Sequence, residues 1–329
     1  MAQANIKWPF YSYFCSDISA VLKPKNRKGI LVTLDFETDR RANLIGSFWM
    51  VAAMAAFAVE DVFVKIVSAK LPIAQILIIF GLGGAFLFAC LAIFKRERLF
   101  SSAVVSLPMR FRVFFEILGR LFYVLAITLT PLSSVTVILQ ATPIVVVAGA
   151  ALIFREKVGR RRWAAIFLGL VGVIIIIRPG TDSFSILSVL AILGMLGFAG
   201  RDLASRAAPS SLSTSILGLY GFLSVVLAGA LFSAWEAVPF IYLDVETSLY
   251  LLAAVLSGVV AYSSLMKAMR TGEVSAVTPF RYTRLLFGIA FGVLLFDEQL
   301  STSMLIGCGL IVLSGLFILW KGKQCISLK

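Results

Sequence analysis

Three charged residues stand at intervals of four in one long apolar segment: Arg112, Glu116 and Arg120. In a helix, this spacing places all three side chains on one face. Arginine presents a planar fork of donors that binds carboxylates and other acceptors, and a glutamate can neutralise such a fork. Two roles are therefore open: a buried salt bridge that orients the helix, and a charged surface that binds a ligand.

A second charged group stands in a later apolar segment, where Arg281 and Arg284 are three residues apart and Tyr282 lies between them. Arginine stacks on aromatic rings as well as binding acceptors. We predict that this group binds a substrate or a counter-charge. If Arg284 has a structural role instead, Glu116 is its expected partner.

Two further pairs have the spacing of intrahelical ion pairs: Asp61 with Lys65, and Asp202 with Arg206. Each is interpreted either as a permanent pair at the mouth of a cavity or as a pair that breaks in a working cycle. The residues predicted to form gates or ion pairs are Glu60, Asp61, Lys65, Arg112, Arg201, Asp202 and Arg206.

Pro143 and Pro279 lie inside apolar segments, where each is expected to break a helix and free a carbonyl four residues earlier. Such breaks serve as hinges or binding sites, but they also occur in membrane bundles without either role. Gln140 lies close to the first break and is the expected uncharged polar contact. The residues predicted to contact a substrate are Glu116, Arg120, Gln140, Tyr262, Arg281, Tyr282 and Arg284.

The composition defines the environment of these charges. Of 329 residues, 60% are apolar and only 14% are charged, against about 25% charged in soluble domains. A polytopic membrane protein fits this composition, and a water-soluble globular protein does not. A charge at the bilayer centre costs about 2.5–3.5 kcal/mol unless it faces protein or water. We therefore expect the charged helices to turn these faces towards a shared interior.

Several kinds of chemistry are disfavoured. The chain has no histidine and four widely spaced cysteines, so no His triad, metal site or disulfide framework is indicated. A nucleotide-binding loop of the GxxxxGK[ST] type is also missing. We predict no enzymatic activity, no cofactor and no metal. The net charge of +13 is attributed to cytoplasmic loops rather than to nucleic-acid binding.

The elements that position the charges are ten apolar segments, each close to the length that crosses a bilayer as a helix. The predicted class is an all-α polytopic membrane protein. Basic loops after the second and fourth segments and an acidic loop after the seventh place both termini in the cytoplasm, at the inner membrane. The predicted spans are 44–65, 72–94, 109–129, 132–154, 162–178, 185–206, 212–234, 248–268, 274–296 and 302–320.

An internal repeat divides the chain. Asp61 aligns with Asp202 at an offset of 141, and Glu156 aligns with Glu298 at an offset of 142. Each copy holds five segments, so the two copies have opposite orientations. Inverted repeats are typical of secondary transporters, which bind their substrate near the midplane between the halves.

These features resemble the drug/metabolite transporter superfamily, in its ten-helix EamA-type branch. The motifs that carry the resemblance are Pro143 with Glu156, Arg178-Pro179-Gly180, the run from Arg201 to Arg206, the run from Thr278 to Tyr282, and Asp297-Glu298. The implied repeats span 44–180 and 181–321, with tails 1–43 and 322–329. One departure is visible: many relatives carry an arginine near the position of Phe80-Gly81.

The resemblance implies a secondary transporter that works by alternating access on a small organic molecule in the lipid bilayer. Riboflavin is the first expectation, because a ring system with many hydroxyls suits arginine and tyrosine. The alternatives are an S-adenosylmethionine-type carrier and an exporter of amino acids or drugs. A channel fits the inverted repeat less well. The coupling ion is left open between a proton and sodium, and the oligomeric state is not predicted.

Overall fold

The computed structural model describes residues 40–129, 138–177, 188–296 and 302–320, and all regular secondary structure in these ranges is helical. The predicted all-α class is confirmed. The long helices are α1 Arg40–Ser68, α2 Ile73–Phe94, α3 Leu107–Leu129, α4 Thr142–Ile153, α5 Arg160–Ile177, α6 Ser188–Ala207, α7 Thr214–Glu236, α8 Val245–Thr271, α9 Thr283–Phe296 and α10 Thr302–Trp320. The predicted tails, except 40–43, lie outside the described residues, as do Arg178-Pro179-Gly180 and Asp297-Glu298.

Three segments differ most from their predicted spans. The fourth, predicted as one helix over 132–154, has a turn at residues 140–141, and α4 begins only at Thr142. Helix α1 begins at Arg40, four residues before the predicted start. The ninth segment, predicted as one helix over 274–296, consists of a one-turn helix Val274–Val277, a 3-10 turn Thr278–Tyr282 and then α9. Pro279 lies in the first turn of the 3-10 element, where its missing N–H is tolerated.

The outer surface is apolar. Three helices in the described ranges, α2, α7 and α8, combine the length and the hydropathy needed to cross a membrane. On α7, the exposed side chains of Leu223, Leu227 and Leu231 repeat every four residues and form one stripe. Exposed leucines in such a row suit contact with lipid, because water would penalise them.

The helices pack in pairs that join the two halves of the chain. The most extensive contacts are α1 with α8, α3 with α6, α2 with α7, and α5 with α10. If the five helices of the first half correspond in order to the five of the second, α1 with α8 and α3 with α6 are equivalent pairs. The pairs α2 with α7 and α5 with α10 each join two corresponding helices. The packing therefore has the pattern expected of two related five-helix repeats.

The α3–α6 contact brings the charged faces of these two helices together. A Cβ atom on Gly197 of α6 would lie 2.5 Å from the Cα atom of Gly119 on α3. Since no real side chain fits at that distance, glycine is required for this close approach of the backbones. This close approach lies next to Glu116 and Arg120 on α3 and near Arg201 on α6.

Candidate functional site

The interior contains a group of charged side chains that we call the charged cluster. Its members come from α1, α3, α6 and the ninth segment, the helices that the sequence analysis expected to share an interior. They are Glu60, Asp61, Arg112, Glu116, Arg120, Arg201, Asp202, Arg281 and Arg284. Five arginines face four carboxylates, so the cluster has a formal excess of one positive charge when all members are ionised.

Glu116 lies at the centre of the first part of the cluster and is fully buried. Its Oε2 accepts a hydrogen bond of 2.8 Å from the Tyr262 hydroxyl, and its Oε1 accepts one of 3.3 Å from Arg201 Nη1. Arg120 Nε lies 3.8 Å from the same Oε1. Arginines from α3 and α6 thus neutralise one buried carboxylate, and a tyrosine from α8 donates a hydrogen bond to it, so that loss of either kind of partner would be costly.

Arg112 is also fully buried, one turn from Glu116. Its Nη2 donates to the Tyr262 hydroxyl at 2.5 Å and to the Leu217 carbonyl at 2.7 Å, and its Nε donates to Ser205 Oγ at 3.0 Å. The Tyr262 hydroxyl therefore accepts a hydrogen bond from Arg112 and donates one to Glu116. This places Tyr262 inside a hydrogen-bond network between helices, with only 2% of its surface exposed.

Asp202 forms the second part of the cluster and corrects one expectation. Its carboxylate pairs with Arg201 Nε at 2.9 Å and with Arg281. The predicted partner Arg206 donates instead to the Met269 carbonyl at 3.1 Å. The 3-10 turn brings Arg281 against α6, so Asp202 is neutralised by its neighbour Arg201 and, across segments, by Arg281.

Asp61 and Arg284 form the third part, and they correct a second expectation. Arg284 pairs with Asp61 rather than with Glu116: its Nε donates to Oδ2 at 2.9 Å, and its Nη2 lies 2.6 Å from Oδ1 and from Oδ2. The guanidinium also lies 5.2 Å from the centre of the Phe57 ring. Both side chains are about half exposed, 42% for Arg284 and 53% for Asp61.

Four members have a buried polar atom without a hydrogen bond in the described part of the chain: Glu60, Arg112, Arg120 and Arg281. In Arg112 and Arg281 other nitrogen atoms are bonded to protein groups. Arg120 is 17% exposed and lies over the Phe198 ring, and its Nε has no hydrogen-bond acceptor. Glu60 is buried, and its Oε2 has no donor. Arg120, Asp61 and Arg284 are the charged groups around it.

The remaining predicted residues lie at the edges of this arrangement. Gln140 is half-buried in the turn before α4, and Pro143 lies in the first turn of that helix. The Leu139 carbonyl, which Pro143 leaves without a backbone donor, accepts from the Thr142 hydroxyl. Tyr282 is fully buried between α5 and α10 and donates to the Ile166 carbonyl at 3.3 Å. The structure therefore does not bring Tyr282 to Arg284.

Hydrogen bonds and an ion pair that the sequence did not predict close the end of the bundle where α1 begins. Glu156, which follows α4, accepts from the backbone N–H groups of Val274 and Ser275 at 3.1 and 3.2 Å. Arg162 donates to Ser275 Oγ at 2.6 Å and pairs with the Glu273 carboxylate. We call these residues the latch. They join the first half of the chain to the start of its ninth segment.

Asn43 adds to this closure from α1, because its side-chain oxygen accepts from the Glu273 N–H at 2.7 Å. The repeat aligned Glu156 with Glu298, but nothing in the sequence indicated that Glu156 contacts Val274 and Ser275.

The opposite end carries an exposed ion pair. Lys70, between α1 and α2, lies 2.9 Å from Glu246 and 3.5 Å from Asp244. The hydrogen bond to Glu246 raises the pKa of Lys70 above its ordinary value. Nearby, the Gln75 amide binds both the N–H and the C=O of Ile241, at 2.9 and 2.7 Å. These contacts hold the loop before α8 against the start of α2.

Comparisons with known proteins agree on the class. The EamA-like transporter family matches twice, over residues 44–178 and 185–320. A riboflavin transporter of Rhizobium johnstonii is 28% identical over 84% of this chain and 91% of its own length. An S-adenosylmethionine uptake transporter of Rickettsia prowazekii is 23% identical over 87% of this chain and 96% of its own.

A riboflavin transporter of Vibrio cholerae is 27% identical over 65% of this chain and 72% of its own length. One solved crystal structure superimposes with a TM-score of 0.71 over 84% of this chain and 98% of its own, at 16% identity. At that identity it supports the fold alone. The two matched regions cover most of the chain, and the chain is therefore a multi-pass membrane transporter that belongs to the EamA-like transporter family of the drug/metabolite transporter superfamily.

Proposed function

We propose that this protein moves a small organic metabolite across the inner membrane by alternating access, with both termini in the cytoplasm and with residues 44–180 and 181–321 as its two repeats. The observation that carries the proposal is the half-exposed pair of Asp61 and Arg284. It joins the first half of the chain to the second, and neither side chain is enclosed by protein. A substrate that binds there contacts both halves, as alternating access requires.

The chemistry of this pair indicates what it binds. Asp61 accepts hydrogen bonds from two nitrogen atoms of the Arg284 guanidinium, and the Phe57 ring lies against the same guanidinium. A planar substrate with an acceptor group can take the place of the carboxylate and stack on the ring. The excess positive charge of the cluster favours such an acceptor. Arg120 offers a second donor close by.

Riboflavin is the proposed substrate. Its flat ring system carries carbonyl and ring N–H groups on one edge, which match arginine donors and carboxylate acceptors. The named riboflavin transporters among the relatives support this choice. S-adenosylmethionine is the second candidate, because its carboxylate would compete with Asp61 for Arg284, and relatives with that name also match.

The test is counterflow in liposomes that contain the purified protein. Vesicles preloaded with unlabelled riboflavin are diluted into trace radiolabelled riboflavin, and a transient accumulation inside marks carrier-mediated exchange. The same vesicles are tested with S-adenosylmethionine and with a panel of amino acids. Accumulation with riboflavin confirms the first candidate, and accumulation only with S-adenosylmethionine replaces it. Flux that does not saturate with any of these compounds contradicts the carrier proposal.

A further inference from the structure

Glu60 differs from the other three carboxylates of the charged cluster. Glu116, Asp61 and Asp202 each have at least one arginine within ion-pair distance in the described part of the chain. Glu60 has none there, although it is 6% exposed and its Oε2 lacks any donor. An ionised carboxylate in that position is costly, because no cation of the described residues lies within ion-pair distance to offset the hydration that burial removes.

A glycine and an aromatic ring lie beside Oε2. A Cβ atom placed on Gly258 of α8 would lie 3.2 Å from it and 2.6 Å from the edge of the Phe80 ring of α2. Gly258 thus leaves just enough room for the carboxyl group between three helices. A carboxyl group held against an aromatic ring and a glycine is best accommodated in its neutral, protonated form.

The charged and titratable groups that face Glu60 come from three of the elements around it. Asp61 follows it on α1, Arg120 and Tyr123 approach from α3, and Arg284 approaches from the ninth segment. From α2 and α8, the neighbours at the carboxyl group are Phe80 and Gly258. The two arginines are the groups that can receive Glu60 when it is ionised.

Arg120 lacks a close acceptor, because its Nε makes no hydrogen bond and lies 3.8 Å from the Glu116 carboxylate. Its guanidinium is therefore only partly satisfied. The Glu60 carboxylate can turn towards this guanidinium, and an acceptor group of a substrate can bind the same guanidinium. The two acceptors compete for one set of donors.

We propose that Glu60 is a proton-binding site that couples transport to proton movement in the same direction, a proposal that rests on the proposed carrier function. When a substrate takes the arginine donors, the displaced Glu60 carboxylate accepts one proton from water on the open side and returns to its position against Phe80. When the substrate leaves on the other side, Glu60 gives this proton to water and binds Arg120 again. One proton moves with each substrate molecule, and no other reactant is needed.

The test separates substrate exchange from proton flux. Liposomes are loaded with a pH-sensitive dye, and the membrane potential is clamped with potassium and valinomycin. For the wild type, substrate entry acidifies the interior, and an inward proton gradient drives accumulation. Glu60→Gln mimics the neutral form, so it retains counterflow of riboflavin but loses both proton effects. Glu60→Asp keeps a carboxyl group and retains proton movement at a reduced rate.

Glu236→Gln is the matched control. Glu236 lies at the end of α7, and its Oε2 likewise lacks a hydrogen bond in the described residues. Its variant is expected to behave as the wild type in both assays. All variants are compared at equal amounts of folded protein, as judged by gel filtration and thermal unfolding in detergent.

Three outcomes overturn the proposal. The first is wild-type counterflow without any substrate-linked proton movement, and the second is alkalinisation in place of acidification. The third is a folded Glu60→Gln variant that either keeps full proton coupling or loses counterflow altogether. Failure of the wild type to exchange any tested substrate contradicts the carrier function itself, so the two failures are distinguishable.

Discussion

Arg284 on α9 donates hydrogen bonds from two nitrogen atoms to the carboxylate of Asp61 on α1, although the two residues are 223 positions apart in the chain. Spacing in the sequence indicated only Lys65, on the same helix, as a partner of Asp61 and did not predict this link to α9. Because the observed pair links the two halves, any movement of one half against the other must either carry the pair along or break it. This makes it the most informative place to test mechanism.

We expect Arg284→Gln to abolish riboflavin counterflow while the protein still reaches the membrane. The substitution removes a bidentate, charge-assisted contact to an acceptor, a loss of about 2–4 kcal/mol or tens to hundreds of times in affinity. Arg110→Gln is the matched control, because Arg110 is exposed at the start of α3 and donates to the Val105 carbonyl. Counterflow is measured per amount of reconstituted protein.

A charge exchange separates substrate binding from a purely structural role. If Arg284 only neutralises Asp61, the double variant Asp61→Arg with Arg284→Asp recovers much of the activity. If Arg284 binds substrate, the double variant is folded and inactive. Recovery would therefore refute the assignment of Arg284 to the substrate site.

A similar test applies to Glu116 and Arg120. We expect Arg120→Gln to lose counterflow, and Glu116→Gln with Arg120→Gln to remain inactive. The double variant also leaves Arg201 without one of its two carboxylate partners, so its thermal stability must be measured alongside its activity. A stable double variant with restored counterflow would show that Arg120 serves only to neutralise Glu116.

Tyr262→Phe is expected to destabilise the fold by about 1–3 kcal/mol, because it removes a donor from buried Glu116 and an acceptor from buried Arg112. Thermal unfolding in detergent measures the change. Tyr250→Phe is the control: its hydroxyl makes an exposed 3.3 Å bond to Glu246, and surface changes of this kind lie within about 0.5 kcal/mol. Equal midpoints for the two variants would contradict the network.

The latch is tested by crosslinking. In a background without the native cysteines, Glu156→Cys and Ser275→Cys are joined by a short reducible thiol crosslinker. We expect transport to stop, because the crosslink fixes the contact of Glu156 with the start of the ninth segment and keeps the end of the bundle where α1 begins closed, and to return after reduction. The control pair, Lys70→Cys and Glu246→Cys, lies at the opposite end, where α1 and α8 pack together. Its crosslink should leave transport largely intact, and the opposite pattern would exclude the latch as a gate.

Topology is checked with reporter fusions after Lys157 and after Asp244. The alternation of basic and acidic loops predicts an inside signal for the first and an outside signal for the second. Signals from the same side would disprove the inverted arrangement.

The sequence predicted the helical class and the residues that make up most of the charged cluster. Both follow from composition and from the cost of charge in hydrocarbon, which are properties of the residues themselves. The partners were harder to predict. Spacing along one helix is the only distance that a sequence provides, so Asp202 was paired with Arg206, whereas helix packing places Arg281 against it.

Other features depend on tertiary structure alone. Tyr262 was predicted to touch a substrate, but its hydroxyl lies between Arg112 and Glu116 because α8 passes beside α3. The contact of Asn43 with Glu273 joins residues 230 positions apart. No periodicity or motif connects them, and only the packing of α1 against α8 brings them together.

The closure at the start of α1 has a consequence for inhibition. Asp61 lies seven residues from Ser68 at the end of α1, about 10 Å at 1.5 Å per residue. It lies about three times as far from Arg40 at the beginning of the helix, where the latch closes the bundle. A polar, membrane-impermeant compound that carries an aromatic carboxylate would therefore have a short route to Arg284 from the Lys70 side. Applied from that side of a sealed vesicle, such a compound should block this conformation, whereas the same dose enclosed behind the latch should leave it untouched.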